Sequence, residues 1–373
     1  MTTAARRVPF NDLSRGMNRD RDALLAATAA VIDSGYAVHG AQHAAFEREL
    51  AEYVGTTDAV GVASGTDALE LAIKAVMPDG RSSVLTAGNA GAYTSTATTR
   101  AGFSPRYADV DPDSLCLTAE SVKESLNDPT IGVVVVTHLY GYFGDAAALR
   151  ALCDERGMAL VEDCAQSIGA ARDWHAAGSI GHAGTISFYP TKNLGAIGDG
   201  GAVVTNSTQT AARLRQLRQY GWETKYNATL VGGANSRLDE LQAAYLRLRL
   251  PMVDGFNRRR REIISRYHAA AAGVEENLLR VLPAVGAEHA AHLAVVRSSR
   301  RDQVREAFAD AGVATDIHFP RPDWEQSAFA AFAPSDGLPV TSAAVQEIFS
   351  LPLFPELTDD EVELVCDAIR SLR

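Results

Sequence analysis

The chain has 373 residues, 46% hydrophobic and 22% charged, a soluble globular balance on a length that exceeds what one hydrophobic core usually fills. Lys plus Arg total 35 against 46 Asp plus Glu, so the net charge of −11 argues against nucleic acid or anionic membrane as partners, and no basic block overrides it. No run approaches the roughly 18–20 apolar residues that span a bilayer, and MTTAARRVPFNDLSRGM lacks the apolar stretch of a secretory leader. Cys116, Cys153, Cys164 and Cys366 form no C-x-x-C pair, which leaves neither a zinc cage nor a disulfide framework and makes a reducing cytoplasm the expected compartment.

From about residue 59, short β-branched runs alternate with helical patterns: DAVGVA then TDALELAIKAV, SSVLTA then an Ala/Thr segment, IGVVVVTHLY then DAAALRALCDERG, and MALVE. Such crossover units build a mostly parallel sheet covered by helices on both faces, with ligands bound beyond the carboxyl ends of its strands. After GAVVTN come the helix TQTAARLRQLRQY, the loop GWETKYNATLVGGANS and the amphipathic helix RLDELQAAYLRLRL, which Pro251 is expected to close. A helix over about 256–272, the strand LAVVR, the helix RDQVREAFADAG and a terminal helix opened by Thr358 complete the chain. This predicts a large domain over 1–250, its N-terminal segment packing on the smaller α/β domain of 251–373.

DVDPDSLCLTAE matches the acidic positions of a calcium loop but has Ser114 where the sharp turn needs glycine, so a capped polar turn is expected and no metal. SGTDAL, between a strand and a helix, sets the small residues Gly65 and Thr66 where backbone amides meet an oxyanion; Asp67 should turn away. MALVEDCAQS ends a buried strand in Glu162 and Asp163 on opposite faces, and a carboxylate there needs a cation. SFYPTKNLGAIGDGG presents Lys192 among glycines. A pyridoxal phosphate enzyme unites these parts: Lys192 for a Schiff base, Asp163 for the ring nitrogen, and Gly65, Thr66 and Ser187 for the phosphate. Tyr93 could stack on the ring and Gln166 reach its hydroxyl, while burial must depress the basicity of Lys192.

SGTDAL, VEDCAQSIGA, SFYPTKNLGAIGDGGAVVTN, NSRLDELQAA and LPLFPELTDDEV, in this order from VPFNDL to the C-terminus, resemble the DegT/StrS family of sugar-nucleotide aminotransferases within fold type I. The resemblance implies an α/β fold with a mostly parallel central sheet, and the cofactor roles above, with Lys192 also shuttling the proton. It further implies a homodimer with shared sites, Asn235 completing the partner's phosphate pocket. Its implied reaction takes an amino group from L-glutamate through pyridoxamine phosphate to a keto group on a nucleotide-linked deoxysugar, with dTDP the expected nucleotide, of antibiotic or glycan biosynthesis. YGWETKYN leans toward 3-keto substrates, with 4-keto sugars or inososes as alternatives, and Lys225, Tyr226, Arg237 and His318 as candidate substrate contacts. TAGNAGAY departs from the family by lacking a proline ahead of Tyr93. A sugar dehydratase would carry histidine at position 192, so the lysine argues for transamination; a non-catalytic cofactor-binding sensor is the remaining alternative.

Overall fold

A computed structural model describes residues 7–372; the first six residues and Arg373, which belong to the expected end segments, lie outside the described residues. The apolar runs become a seven-stranded sheet in the order Asp58–Val62, Gly201–Thr205, Ala183–Ser187, Ala159–Asp163, Ile131–Thr137, Ser83–Ala87, Ser104–Ala108. The five from Ala183–Ser187 onward run parallel, as crossover helices require. Gly201–Thr205 is antiparallel to both of its neighbours, so the sheet is mixed at one end. The central strands are buried throughout because helices cover both faces, and their sequences are correspondingly dominated by apolar residues.

Three helices precede the first strand, Leu13–Arg19, Arg21–Ser34 and Ala41–Val54, and the last packs Phe46, Leu50 and Val54 into the main core. As expected, the helix Glu240–Arg249 ends just ahead of Pro251, which lies in the first turn of a 3₁₀ segment, Leu250–Met252, that leads directly into the helix Val253–Ala270. A first turn has no carbonyl waiting for the missing N–H, so proline is tolerated there. The turn following Asp109 is pinned by Asp111, whose carboxylate accepts from the amides of Asp113 and Ser114, while Thr118 caps the short helix Ala119–Val122.

A second apolar cluster gathers Ile263, Tyr267, Val296, Phe308, Phe349 and Val365 around the three-stranded sheet Arg280–Val281, Ala294–Arg297, Ile348–Leu351. Val8 joins it, donating its amide to the Gly312 carbonyl and accepting from Ala314. We propose the turn Leu250–Met252 as the division between large and small units, although Val253 and Leu293 beyond it share the main core.

The strand Ala159–Asp163 ends in two carboxylates that diverge. Glu162 is fully buried, and its oxygens accept from the amides of Gly178, Ile180 and Gly181 and from His138 Nε2 at 2.6–3.0 Å. His138 Nδ1 accepts from the Gly144 amide, so the Nε2 nitrogen carries the ring proton toward Glu162. Burial pushes the Glu162 carboxyl up, but these donors outweigh it and hold it below the usual carboxylate range. His138, Glu162 and Cys164 thus sit close together as a satisfied interior network rather than an open ligand set. Glu162→Gln turns an amide NH₂ toward these donors and should cost about 3 kcal/mol, read as a lower urea midpoint at unchanged slope.

Candidate active site

The carboxyl ends of the parallel strands open into a cavity of about 620 Å³ that brings together Gly65, Thr66, Tyr93, Asp163, Gln166, Ser187, Lys192 and His318. One wall is the turn into the helix Gly65–Val76. Ser64 caps that helix by accepting from the Asp67 amide at 3.1 Å, and the first-turn amides of Gly65 and Thr66 have no intrahelical acceptor. A Cβ on Gly65 would lie 2.5 Å from the Ser187 Cβ, so only glycine lets this turn approach the strand end carrying that hydroxyl. Asp67 turns away from the cavity, its oxygens held by Arg100 and Ser236 at 2.8 Å.

Asp163 lies opposite Thr137 in the parallel register. Among the described residues its carboxylate accepts only from the Ala165 amide at 3.1 Å and from the Thr137 hydroxyl at 3.3 Å, while the side chain is 5% exposed. Burial therefore raises its pKa, with the Ala165 amide and the Lys192 charge pulling the other way. Lys192 sits on the loop beyond Ala183–Ser187, and burial depresses it to about 8 against the opposing pull of Asp163. Neither forms an ion pair within 4.0 Å among the described residues, so one cavity holds a carboxylate in want of a cation and an amine near neutrality.

Gln166 accepts the Tyr140 amide on Oε1 at 2.6 Å, which leaves its Nε2 as a donor. Tyr93 opens the helix Tyr93–Arg100 and meets the Phe319 ring edge-on at 5.8 Å. Glycines in the preceding loop make this possible: a side chain on Gly88 would strike Trp324, and one on Gly91 would meet Phe319 at 2.8 Å. His318 stacks on Phe10 and binds the Ser350 hydroxyl at 3.1 Å.

The remaining candidates stand apart. Asn235 and Arg237 line a separate cavity of about 500 Å³, which shares Ser64 and Asp199 with the first. Lys225 and Tyr226 lie on the exposed hairpin of Trp222–Thr224 and Asn227–Ala228, the lysine 5.1 Å above the tyrosine ring. Sequence reasoning missed Tyr189, Arg260, His292 and Phe319, all of which line the Lys192 cavity. Tyr189, inside SFYPTK, was the one with a local signal; the others arrive from the distant second half of the chain.

The profile of the DegT/DnrJ/EryC1/StrS aminotransferase family matches residues 18–370. A dTDP-3-amino-3,4,6-trideoxy-alpha-D-glucose transaminase of Micromonospora megalomicea subsp. nigra is 40% identical over 358 residues, 95% of this chain and 96% of that protein. A UDP-N-acetyl-3-dehydro-alpha-D-glucosamine 3-aminotransferase of Acidithiobacillus ferrooxidans is 35% identical over 97% of each chain. The solved structure of S. venezuelae DesV, in complex with a ketimine intermediate, superposes with a TM-score of 0.92 at 37% identity, covering 98% of both chains. The α/β architecture is that of fold type I aminotransferases, as the motifs imply. By profile, identity over nearly its whole length and superposition, this chain belongs to the DegT/DnrJ/EryC1/StrS aminotransferase family.

Proposed function

We propose that the chain is a pyridoxal 5′-phosphate-dependent aminotransferase moving an amino group from L-glutamate to a keto carbon, preferentially C3, of a nucleotide-linked deoxysugar. The observation that carries this reading is the opposition of Asp163 and Lys192 in one cavity beside a cradle of unpaired amides. The names of the relatives support the substrate class and the 3-keto preference.

The residues fit the cofactor. Gly65, Thr66 and Ser187 would hold its phosphate, Gln166 its ring hydroxyl and Tyr93 a ring face. Asp163 would hold the protonated ring nitrogen, which relieves its unpaired burial. When bound, the group supplies an aldehyde that stores the amino group and a ring that accepts electron density from the substrate carbon. Lys192 is the base and acid of both half-reactions: with its amine near neutrality, it takes a proton from one carbon and returns it to another.

Asn235 and Arg237 reach the phosphate site from a second copy in this reading. The surface around them supports it. Gln219 bridges to Asn235 and Val38 to Asp239, and beside these segments the protein exposes Tyr36, Tyr226 and Val231. Arg237 in that cavity and the exposed Lys225 on the hairpin are the cations we assign to a diphosphate.

Incubation with L-glutamate and a panel of dTDP- and UDP-linked 3-keto and 4-keto sugars, with inososes as controls, should yield a 3-amino product by mass spectrometry. Lys192→Ala should bind pyridoxal phosphate yet turn over at least about 10³-fold more slowly; unchanged turnover overturns the reading. Cofactor uptake by the apoprotein should quicken as pH rises and level off above about 8, because the neutral amine is the reactive form and burial lowers Lys192; an ordinary lysine would still be rising near pH 10. Lys192→Ala and Asn235→Ala, each inactive alone, should regain about a quarter of wild-type activity when mixed as refolded dimers, since half the dimers then carry one intact site.

A further inference from the structure

His292 follows no expected motif, yet it lines the Lys192 cavity while its ring is almost wholly buried. Its tautomer is fixed by a chain of hydrogen bonds that begins at two backbone carbonyls. The Ala290 carbonyl can only accept, so the Asn193 side-chain atom 2.8 Å from it must be the amide nitrogen. That nitrogen also donates to Asn257 Oδ1 at 2.7 Å, and the Asn257 amide nitrogen is itself identified by donating to the Ile168 carbonyl at 2.9 Å. Asn193 Oδ1 is thereby left as an acceptor, and it lies 2.8 Å from His292 Nδ1, which must carry the ring proton. Nε2 is then a bare lone pair, and it has no hydrogen-bond partner among the described residues.

Protonation of the ring is opposed from every side. Burial is the largest factor, followed by the charges of Lys192, Arg260 and His318, and together they hold His292 neutral. Arg260 also anchors the backbone here, donating to the carbonyls of His292 and Leu353. Lys192 Nζ, in the same cavity, has up to three N–H donors and no hydrogen-bond partner among the described residues. One unpaired acceptor and one unpaired donor thus share the space.

We propose that His292 is a positioning residue for Lys192, its ring held as the neutral Nδ1–H tautomer so that Nε2 accepts a hydrogen bond from the lysine nitrogen whenever that nitrogen carries the shuttled proton. No proton moves to the imidazole. The lysine is oriented while charged and is freed when it gives the proton up. The kinetic part of this inference rests on the proposed aminotransferase reading, whereas the tautomer does not.

The test begins on the apoprotein with ¹⁵N-labelled histidine, the His292 signals being assigned by their loss in His292→Leu. A protonated Nδ1 and bare Nε2 across about pH 6–9 is expected; an Nε2–H or a charged ring overturns the proposal whatever the enzyme does. In turnover assays, folded His292→Leu should lower kcat about 10–100-fold with KM nearly unchanged. It should also move the limb of the pH profile that titrates Lys192 to lower pH, because a neutral acceptor favours the charged amine and its removal leaves Asp163 as the main support, with His318, Asp316 and Asp199 on the cavity wall. His292→Gln, which keeps an acceptor of similar reach, should recover part of kcat and supplies the comparison should the leucine variant fold poorly. An unchanged kcat, or a raised KM at constant kcat, overturns the role for Lys192, the latter result assigning the ring to the substrate instead.

Discussion

Two opposite charges kept apart in a space too dry to screen them are what the site depends on. Burial raises the pKa of Asp163 and lowers that of Lys192 to about 8, and each draws the other only part of the way back. Had they met, the result would be a closed ion pair, with a carboxylate no longer open to a ligand's cation and an amine no longer nucleophilic. Separation preserves both capacities. The carboxylate remains open to a cation, and the amine remains able to lose its proton near pH 8.

Rigid attachment at both ends maintains that separation. Asp163 cannot swing, because it ends a central strand, its carbonyl accepts from the His138 amide and its neighbour Glu162 is locked on the opposite face. Lys192 is held by a turn in which its amide donates to the Tyr189 carbonyl and the Ala196 amide to Phe188. The next residue, Asn193, extends that hold across to Asn257 and Ala290. The lysine loop is therefore fastened to chain that lies beyond residue 250 by hydrogen bonds rather than by sequence proximity.

How much of this was legible in the sequence follows from which information is local. SGTDAL, VEDCAQS and SFYPTK each encode a strand end and the turn beyond it within a few residues, so the cradle, Asp163 and Lys192 could be read from spacing, and Asp67 could be turned outward on charge alone. The antiparallel placement of Gly201–Thr205 could not, because a doubly covered strand is an unbroken apolar run in either direction. Pro251 marked the end of the helix Glu240–Arg249 because its ring and missing N–H act locally, but that the chain stays helical beyond it, through a 3₁₀ turn into Val253–Ala270, depends on tertiary packing. His292 and Arg260 gave no signal, since a single histidine on a strand flank and one arginine within an arginine run take their meaning only from tertiary contact.

The charge carried by the cavity bears on why one chain is insufficient in the proposed reading. Among the described residues lining the Lys192 cavity, Lys192 and Arg260 are the only lysine or arginine, and Arg260 is engaged with the carbonyls of His292 and Leu353. The cradle itself therefore offers amides, hydroxyls and the partial charge of one helix end, worth about half an elementary charge, against a phosphate that carries nearly two. Asn235 and Arg237 line the neighbouring cavity, which shares Ser64 and Asp199 with the first. A second copy turned to present that face would bring donors and positive charge to the cradle where it is weakest, and would cover the exposed Tyr226 and Val231 at the same time. Phosphate binding and subunit pairing would then be linked, each favouring the other by the same free energy.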